Sequence, residues 1–202
     1  MAIFFAGLIG YLFGSIPFAL VIGKLFFQTD IREHGSGNLG GTNAGRTLGP
    51  KAGISVAILD VLKATIAMCV AFLFFKDSNA ILAAGFFATI GHCYPIFANF
   101  KGGKAVSTSF GFLLGITIFL THNALLHFFL PLGIFFACLY LSKMVSLSAM
   151  ISITSASIIL FLSQSNHYLS IAFTIINLIV ITRHKTNIGR IKNGSESKIT
   201  WM

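Results

Sequence analysis

Runs of Phe, Leu, Ile, Val and Ala, broken by short polar segments, fill this chain, and the apolar positions do not alternate as a half-buried strand would require. The pattern predicts helices over 3–27, 53–75, 80–97, 106–120, 124–141, 146–163 and 168–182. A helix needs about 20 apolar residues to cross a hydrocarbon core of roughly 30 Å, and most of these runs reach or approach that length. The third and fourth are shorter and interrupted by polar residues, so they are expected to be tilted or half-buried spans. Within the first run, Ser15-Ile16-Pro17 falls near the middle. Pro17 should kink the helix there, with Ser15 placed to satisfy a freed carbonyl.

Composition turns this pattern into a class. The chain has 202 residues, 55% hydrophobic and only 9% charged, a balance that a water-soluble domain does not have. The expectation is a single domain over 1–202, all-α, a polytopic integral membrane protein with about seven transmembrane helices. The start, Met-Ala-Ile-Phe-Phe, lacks the basic region of a cleaved signal peptide, so the first run is expected to remain as a span. Three cysteines, two of them inside apolar runs, give neither a disulfide framework nor zinc-ligand spacing.

A net charge of +9 raises nucleic acid as a partner, but no recognition fold or water-soluble basic face accompanies it. The charges instead sort by membrane side. Lys24, Arg32, Arg46, Lys51, Lys101, Lys104, Lys143, Arg183, Lys185, Arg190, Lys192 and Lys198 lie at or after the ends of odd-numbered helices. Only Lys76 falls on the opposite side, and Lys63 lies within the second helix. The positive-inside rule then puts the N-terminus outside and the C-terminus in the cytoplasm, with seven crossings.

Three polar motifs gather on that cytoplasmic face. In the first, His34-Gly35-Ser36-Gly37-Asn38-Leu39-Gly40-Gly41-Thr42-Asn43-Ala44-Gly45-Arg46, glycines allow backbone amides to converge on an anion. Ser36, Asn38, Thr42 and Asn43 add neutral donors, and Arg46 adds a planar fork matched to phosphate. The motif has no Walker ending and follows no strand. A flexible glycine-rich connection is the competing reading. In the second motif, Gly91-His92-Cys93-Tyr94-Pro95 ends a helix and Lys101-Gly102-Gly103-Lys104 brings two ammonium groups. Lys101 is the better candidate for a lipid-facing anchor, and His92 reads either as a base or as a packed, hydrogen-bonded residue. The third motif holds Arg183, His184 and Asn187, which share a face if the last helix continues a turn, and Glu196 beyond Gly194, placed to pair with a basic residue. A basic tail on anionic lipid would explain Lys192 and Lys198 but not His184 or Asn187. Asp60 and Lys63, three apart on the second helix, are expected to pair within the membrane.

These motifs, in this order, resemble the PlsY family of bacterial glycerol-3-phosphate acyltransferases along the whole chain. The resemblance rests on Gly14-Ser15-Ile16-Pro17, the 35–46 loop, Asp60 with Lys63, Gly91-His92 with Pro95 and the 101–104 segment, and Arg183-His184 with Asn187-Ile188, Arg190, Gly194 and Glu196. Three small-for-small departures stand out: Gly41 where Ala is usual, Ala64 where Gly is common after Lys63, and Ala105 where Gly is common after Lys104. The last removes backbone freedom beside a candidate catalytic lysine.

The resemblance implies acyl transfer from acyl phosphate to the 1-hydroxyl of sn-glycerol 3-phosphate, giving lysophosphatidic acid and phosphate, the first acylation of phospholipid synthesis. It implies a bacterial inner-membrane location and a partnership with the soluble enzyme that makes acyl phosphate; no cofactor or metal is expected, since the five acidic residues are spread widely and none makes a His-Asp or Asp-Asp cluster suited to zinc or magnesium. No His is followed five positions later by Asp, the mark of the other large acyltransferase family, which weighs against a thioester donor. On this reading Ser36, Arg46, Lys104, His184 and Asn187 are catalytic residues that orient glycerol 3-phosphate, and Lys104 also stabilises the leaving phosphate. Gly37, Asn38, Gly40, Gly41, Thr42 and Asn43 hold the acyl-phosphate headgroup. His92, Lys101, Gly102, Gly103, Arg183, Arg190 and Glu196 complete the substrate-binding set. The hydroxyl proton passes to a substrate phosphate or to His184. A transporter of organic phosphates and a non-catalytic lipid-headgroup binder are the competing classes. No inverted repeat and no midplane polar cluster favours the first, and the Asn and Thr of the motifs exceed what the second needs.

Overall fold

The computed structural model describes residues 1–165 and 167–199. Ten α-helices account for most of them: α1 Ala2–Gly14, α2 Phe18–Phe27, α3 Gly41–Leu48, α4 Pro50–Phe75, α5 Ser78–Cys93, α6 Val106–Ile116, α7 Leu130–Ser142, α8 Val145–Ser163, α9 His167–Arg183 and α10 Lys185–Lys192. Among the described residues five helical stretches are long and apolar enough to cross a membrane: Ala2–Phe27, Pro50–Phe75, Ser78–Ala98, Leu125–Ser142 and Val145–Ser163. Two shorter apolar helices, Val106–Thr121 and His167–Arg183, accompany them. The burial pattern is that of a protein in lipid. Phe74 is 76% exposed and Leu162 80% exposed, while Thr89, Thr108, Ser109, Ser148 and Ser152 are fully buried, so side chains face lipid or interior opposite to the habit of soluble proteins.

The sequence-derived helices are recovered with changes that have local causes. The expected first span is two helices, because Pro17 has no N–H to continue the ladder. The carbonyl of Ile16 is left to accept from the Lys63 ammonium at 3.0 Å. Ser15 does not serve that carbonyl: its buried hydroxyl makes no hydrogen bond among the described residues. The second span begins at Pro50, a residue suited to a first helical position, and not at 53. The third begins at Ser78, where the Asp77 carboxylate accepts from the amides of Asn79 (2.7 Å) and Ala80 (3.0 Å). α6 continues through a π-helical turn, Thr117–Thr121, and a second π-helical turn, Leu125–Phe129, leads into α7. α3 and α10 were not expected as separate helices.

The chain divides into two compact groups, Met1–Leu120 and the residues from Thr121 onward. In the first group α1 packs along α5 with backbone nearly touching backbone. A side chain at Gly10 would run into the carbonyl of Ala84, and one at Gly14 into that of Ala88. Small residues at such a crossing allow the close van der Waals contact that joins helices in lipid. A cluster of Ala19, Leu20, Ile22, Ile31, Leu39, Ala44, Ala52, Val56 and Ala98 joins α2, α3 and α4 to the connecting loops. In the second group hydroxyls stitch the helices: Ser152 donates to the carbonyl of Pro131 (2.6 Å), Ser170 to that of Leu160 (3.0 Å), and Thr154 to the Asn177 side chain (3.1 Å).

Candidate active site

The glycine-rich motif is an ordered loop built around one side chain. Asn43 is buried, its Oδ1 accepts from the amide of Ser36 (2.9 Å), and its Nδ2 donates to the carbonyls of Ile31 (3.3 Å) and His34 (3.2 Å). Gly35 and Gly37 take φ of 60° and 66°, the left-handed region that glycine enters without penalty. A side chain on Gly35 would collide with Asn43 Oδ1. The preceding turn is fixed by Asp30, which accepts from the Arg32 backbone (3.1 Å) and guanidinium (Nε, 2.9 Å). That Arg32 bond outweighs the opposing effect of burial and holds the Asp30 carboxyl well below the usual carboxylate range.

The loop ends in α3, whose first turn carries Gly41, Thr42 and Asn43. First-turn amides have no acceptor within their own helix and lie at its positive end, an arrangement that favours an anion. Thr42 and Arg46 are exposed, four residues apart and therefore on one face, and Ser36 is also exposed. Asn38 is half-buried. Asn43 therefore supplies the loop with its shape, and its amide group already serves internal partners.

The second motif folds back on the end of α5. Asn99 and Phe100 take left-handed backbone (φ 53° and 57°), which reverses the chain after Ile96–Ala98. The amide of Gly102 then donates to the carbonyl of Cys93 (3.2 Å), and that of Gly103 to the carbonyl of His92 (3.0 Å). Both glycines are buried, Lys101 is exposed, and Lys104 is partly buried. Ala98 belongs to the same apolar cluster as Ile31, Leu39 and Ala44, so the two motif loops of the first group rest on one support.

His92 does not project to solvent. It lies 6% exposed, with Nδ1 2.8 Å from Lys63 Nζ and 3.4 Å from Asp60 Oδ1. The expected Asp60–Lys63 pair is present at 2.7 Å, both side chains 2% exposed. Sequence spacing announced the pair, but His92, 29 residues away from Lys63, carried no signal that it would join.

In the second group α9 ends at Arg183, and α10 restarts at Lys185 after a break at His184. Arg183 is half-buried; His184 and Asn187 are buried. His184 Nδ1 donates to the carbonyl of Val180 (2.7 Å), which fixes the ring's orientation. Gly194, at φ 68°, turns the chain so that Glu196 returns to α10 and α8. Its Oε1 accepts from Asn187 Nδ2 (2.7 Å) and Ser146 Oγ (2.7 Å), and its Oε2 accepts from Arg190 Nε (2.7 Å). Burial tends to raise the Glu196 carboxyl, but the bonds from Ser146, Arg190 and Asn187 outweigh it, and the group is held below its ordinary value. The pairing expected of Glu196 is thus with Arg190, and it also fixes Asn187.

Residues 4–194 match the family model described as glycerol-3-phosphate acyltransferase. A protein from Bacillus subtilis with that name is 49% identical over 195 residues, 96% of each chain. One from Enterococcus faecalis is 46% identical, covering 96% of this chain and 90% of its own. The crystal structure of PlsY, an integral membrane glycerol 3-phosphate acyltransferase in its glycerol 3-phosphate form, aligns with a TM-score of 0.88 at 33% identity, over 99% of this chain and 96% of that one. The lysophosphatidic acid form aligns with a TM-score of 0.84 at 32% identity.

Proposed function

From the chain's membership of the glycerol-3-phosphate acyltransferase family, we propose the following reaction: the 1-hydroxyl of sn-glycerol 3-phosphate attacks the carbonyl carbon of an acyl phosphate. The new ester C–O bond forms, the bond from that carbon to the phosphate oxygen breaks, and lysophosphatidic acid and inorganic phosphate leave. The hydroxyl proton ends on the departing phosphate. Acyl phosphate is already an activated donor, so positioning and charge stabilisation supply most of the acceleration.

The roles follow the motifs. Gly37, Asn38, Gly40, Gly41 and Thr42, with the backbone amide of Asn43, hold the acyl-phosphate headgroup. Ser36 and Arg46 orient glycerol 3-phosphate, Arg46 through its bidentate fork. Lys104 draws charge from the leaving phosphate, with Lys101 and the Gly102-Gly103 backbone around it. His184 and Asn187 are assigned to the acceptor substrate, and His92, Arg183, Arg190 and Glu196 to supporting its binding. The whole chain acts as one acyltransferase domain with seven crossings, N-terminus outside, in a bacterial plasma membrane. Its site opens to the cytoplasm, where glycerol 3-phosphate is dissolved and a soluble enzyme can deliver acyl phosphate.

The observation that carries this reading is the first group's pair of anion-ready loops on one apolar support: a shaped glycine loop opening onto a helix N-terminus with Arg46, and the loop bearing Lys104. The test is product formation by the purified protein in lipid or detergent. Acyl phosphate with glycerol 3-phosphate should give lysophosphatidic acid and phosphate in equal amounts. Product from acyl thioesters but none from acyl phosphate would overturn the donor assignment.

A further inference from the structure

Inside the first group, two ionisable side chains and a backbone carbonyl surround the Lys63 ammonium. Lys63 Nζ donates to the Ile16 carbonyl at 3.0 Å, forms an ion pair with Asp60 Oδ1 at 2.7 Å and lies 2.8 Å from His92 Nδ1. Asp60 and Lys63 come from α4, His92 from the last turn of α5, and the carbonyl from the Pro17 break. Stability alone is a weak reason for such a group. A buried ion pair is often matched or bettered by apolar residues of the same size, and here both Asp60 oxygens are buried with no hydrogen bond among the described residues, the carboxylate being held by its ion pair.

The geometry shows what the arrangement fixes. Lys63 Nζ and Asp60 Oδ1 both meet the His92 ring at Nδ1, so its Nε2 edge is turned the other way. That edge of the ring lies against Gly103. A Cβ on Gly103 would overlap Nε2 and stand only 2.8 Å from Cε1. The backbone of the same turn accepts from Gly102 and Gly103. The ring is therefore the inner wall of the loop that ends in Lys104, and Lys63 sets the ring's rotation.

We propose that Asp60, Lys63 and His92 form a buried positioning triad that holds the 101–104 loop against α5 and thereby sets the place of Lys104. The three are positioning residues, not catalytic ones: Asp60 orients Lys63, Lys63 orients the His92 ring, and the ring and its backbone seat Gly103. The inference rests on the role given above to Lys104 in acyl transfer. It also explains the glycine at 103, which the ring leaves no room to replace.

Hydrogen–deuterium exchange and acyl-transfer kinetics on the purified full chain test it. His92→Asn keeps an acceptor beside Lys63, so both buried charges stay paired, but no longer reaches Gly103. Lys63→Met removes the orienting donor, and if that variant fails to fold His92→Asn carries the test alone. Exchange at the Gly102 and Gly103 amides should rise about 10-fold or more while amides in the middle of α1 and α4 stay unchanged. Turnover should fall about 10- to 100-fold, the range that a displacement of about 1 Å produces. His92→Gln, whose longer amide reaches the loop, should recover most of it. In a Lys104→Ala background the same substitutions should lower the residual rate by no more than about twofold, because the group they position is gone. Unchanged exchange at Gly102 and Gly103, or losses that multiply in full in that background, would overturn the triad. If wild-type protein makes no lysophosphatidic acid from acyl phosphate, the donor assignment fails, and the exchange comparison still decides whether the triad holds the loop.

Discussion

Replacing Glu196 by Gln changes one charge and almost no volume, at a position where three donors converge. Ser146 Oγ and Asn187 Nδ2 bond to Oε1 and Arg190 Nε to Oε2, all at 2.7 Å. The Glu196 side chain is 5% exposed and that of Arg190 is 44% exposed. Glutamine keeps one carbonyl oxygen for Ser146 and Asn187 but turns an NH2 toward Arg190. Solvent screening limits the lost Arg190 pair to under about 1 kcal/mol. Downgrading two charge-assisted bonds to neutral ones costs about another 1 kcal/mol. The expected total is about 1–2 kcal/mol, or roughly 2–8 °C in Tm for a chain of this size. A carboxyl held below its ordinary value contributes stability in full above the unfolded-state value of 4.5 and loses it as pH falls through the lower folded value. The Tm gap between wild type and Glu196→Gln should therefore be constant from about pH 8 down to pH 5 and close below about pH 4.5. Thermal unfolding in detergent across that range is the assay. No gap at pH 7, or one that widens on acidification, would refute the reasoning.

The remaining predictions concern backbone approach, charge shape and a left-handed residue. Gly14→Leu should abolish folding, since any Cβ there meets the Ala88 carbonyl and a leucine would force α1 from α5; monodisperse protein after extraction checks it. Arg46→Lys keeps the charge but loses the fork, so kcat/KM for glycerol 3-phosphate should fall about 10- to 100-fold with Tm nearly unchanged, as the side chain is exposed. Ala105 sits fully buried at φ 62°. Ala105→Gly should leave Tm within a few degrees, because relief of about 1 kcal/mol of left-handed strain offsets glycine's greater chain entropy. Ala105→Val should lower Tm sharply, since a β-branched side chain resists that conformation.

The apolar runs marked the long helices well because length and composition decide them. The 146–163 run becomes Val145–Ser163, and the 168–182 run becomes His167–Arg183. α3 was illegible because Gly41, Thr42, Asn43 and Gly45 are poor helix formers, and what supports the helix is the buried apolar cluster that Ala44 shares with residues of α2 and α4. Candidate site residues stood out by type, but their direction did not. Asn43 looked like a phosphate donor and turns inward as the loop's hub. His92 looked like a substrate contact or a packing residue and joins an ion pair from another helix. Both outcomes depend on partners distant in sequence or on backbone carbonyls, and neither leaves a pattern in side-chain order. Proline did leave one. Its break was expected, yet the acceptor it freed went to Lys63 and not to Ser15.

The two groups of helices use different means of cohesion, and the difference bears on where precise loops can be carried. Hydroxyl bonds such as Ser152 to Pro131 and Ser157 to Thr174 join α7, α8 and α9, and in lipid each contributes only about 0.6 kcal/mol on average. α1 and α5 instead meet at Gly10 and Gly14, where backbone lies against backbone and no rotamer can absorb a shift. α5 ends in His92 and Cys93, the two residues whose carbonyls hold Gly102 and Gly103. A loop hung from such a helix inherits its rigidity. The Lys101-Gly102-Gly103-Lys104 sequence, flexible when read alone, is held to a helix seated by backbone-to-backbone contact, and that is the property a site relying on positioning requires.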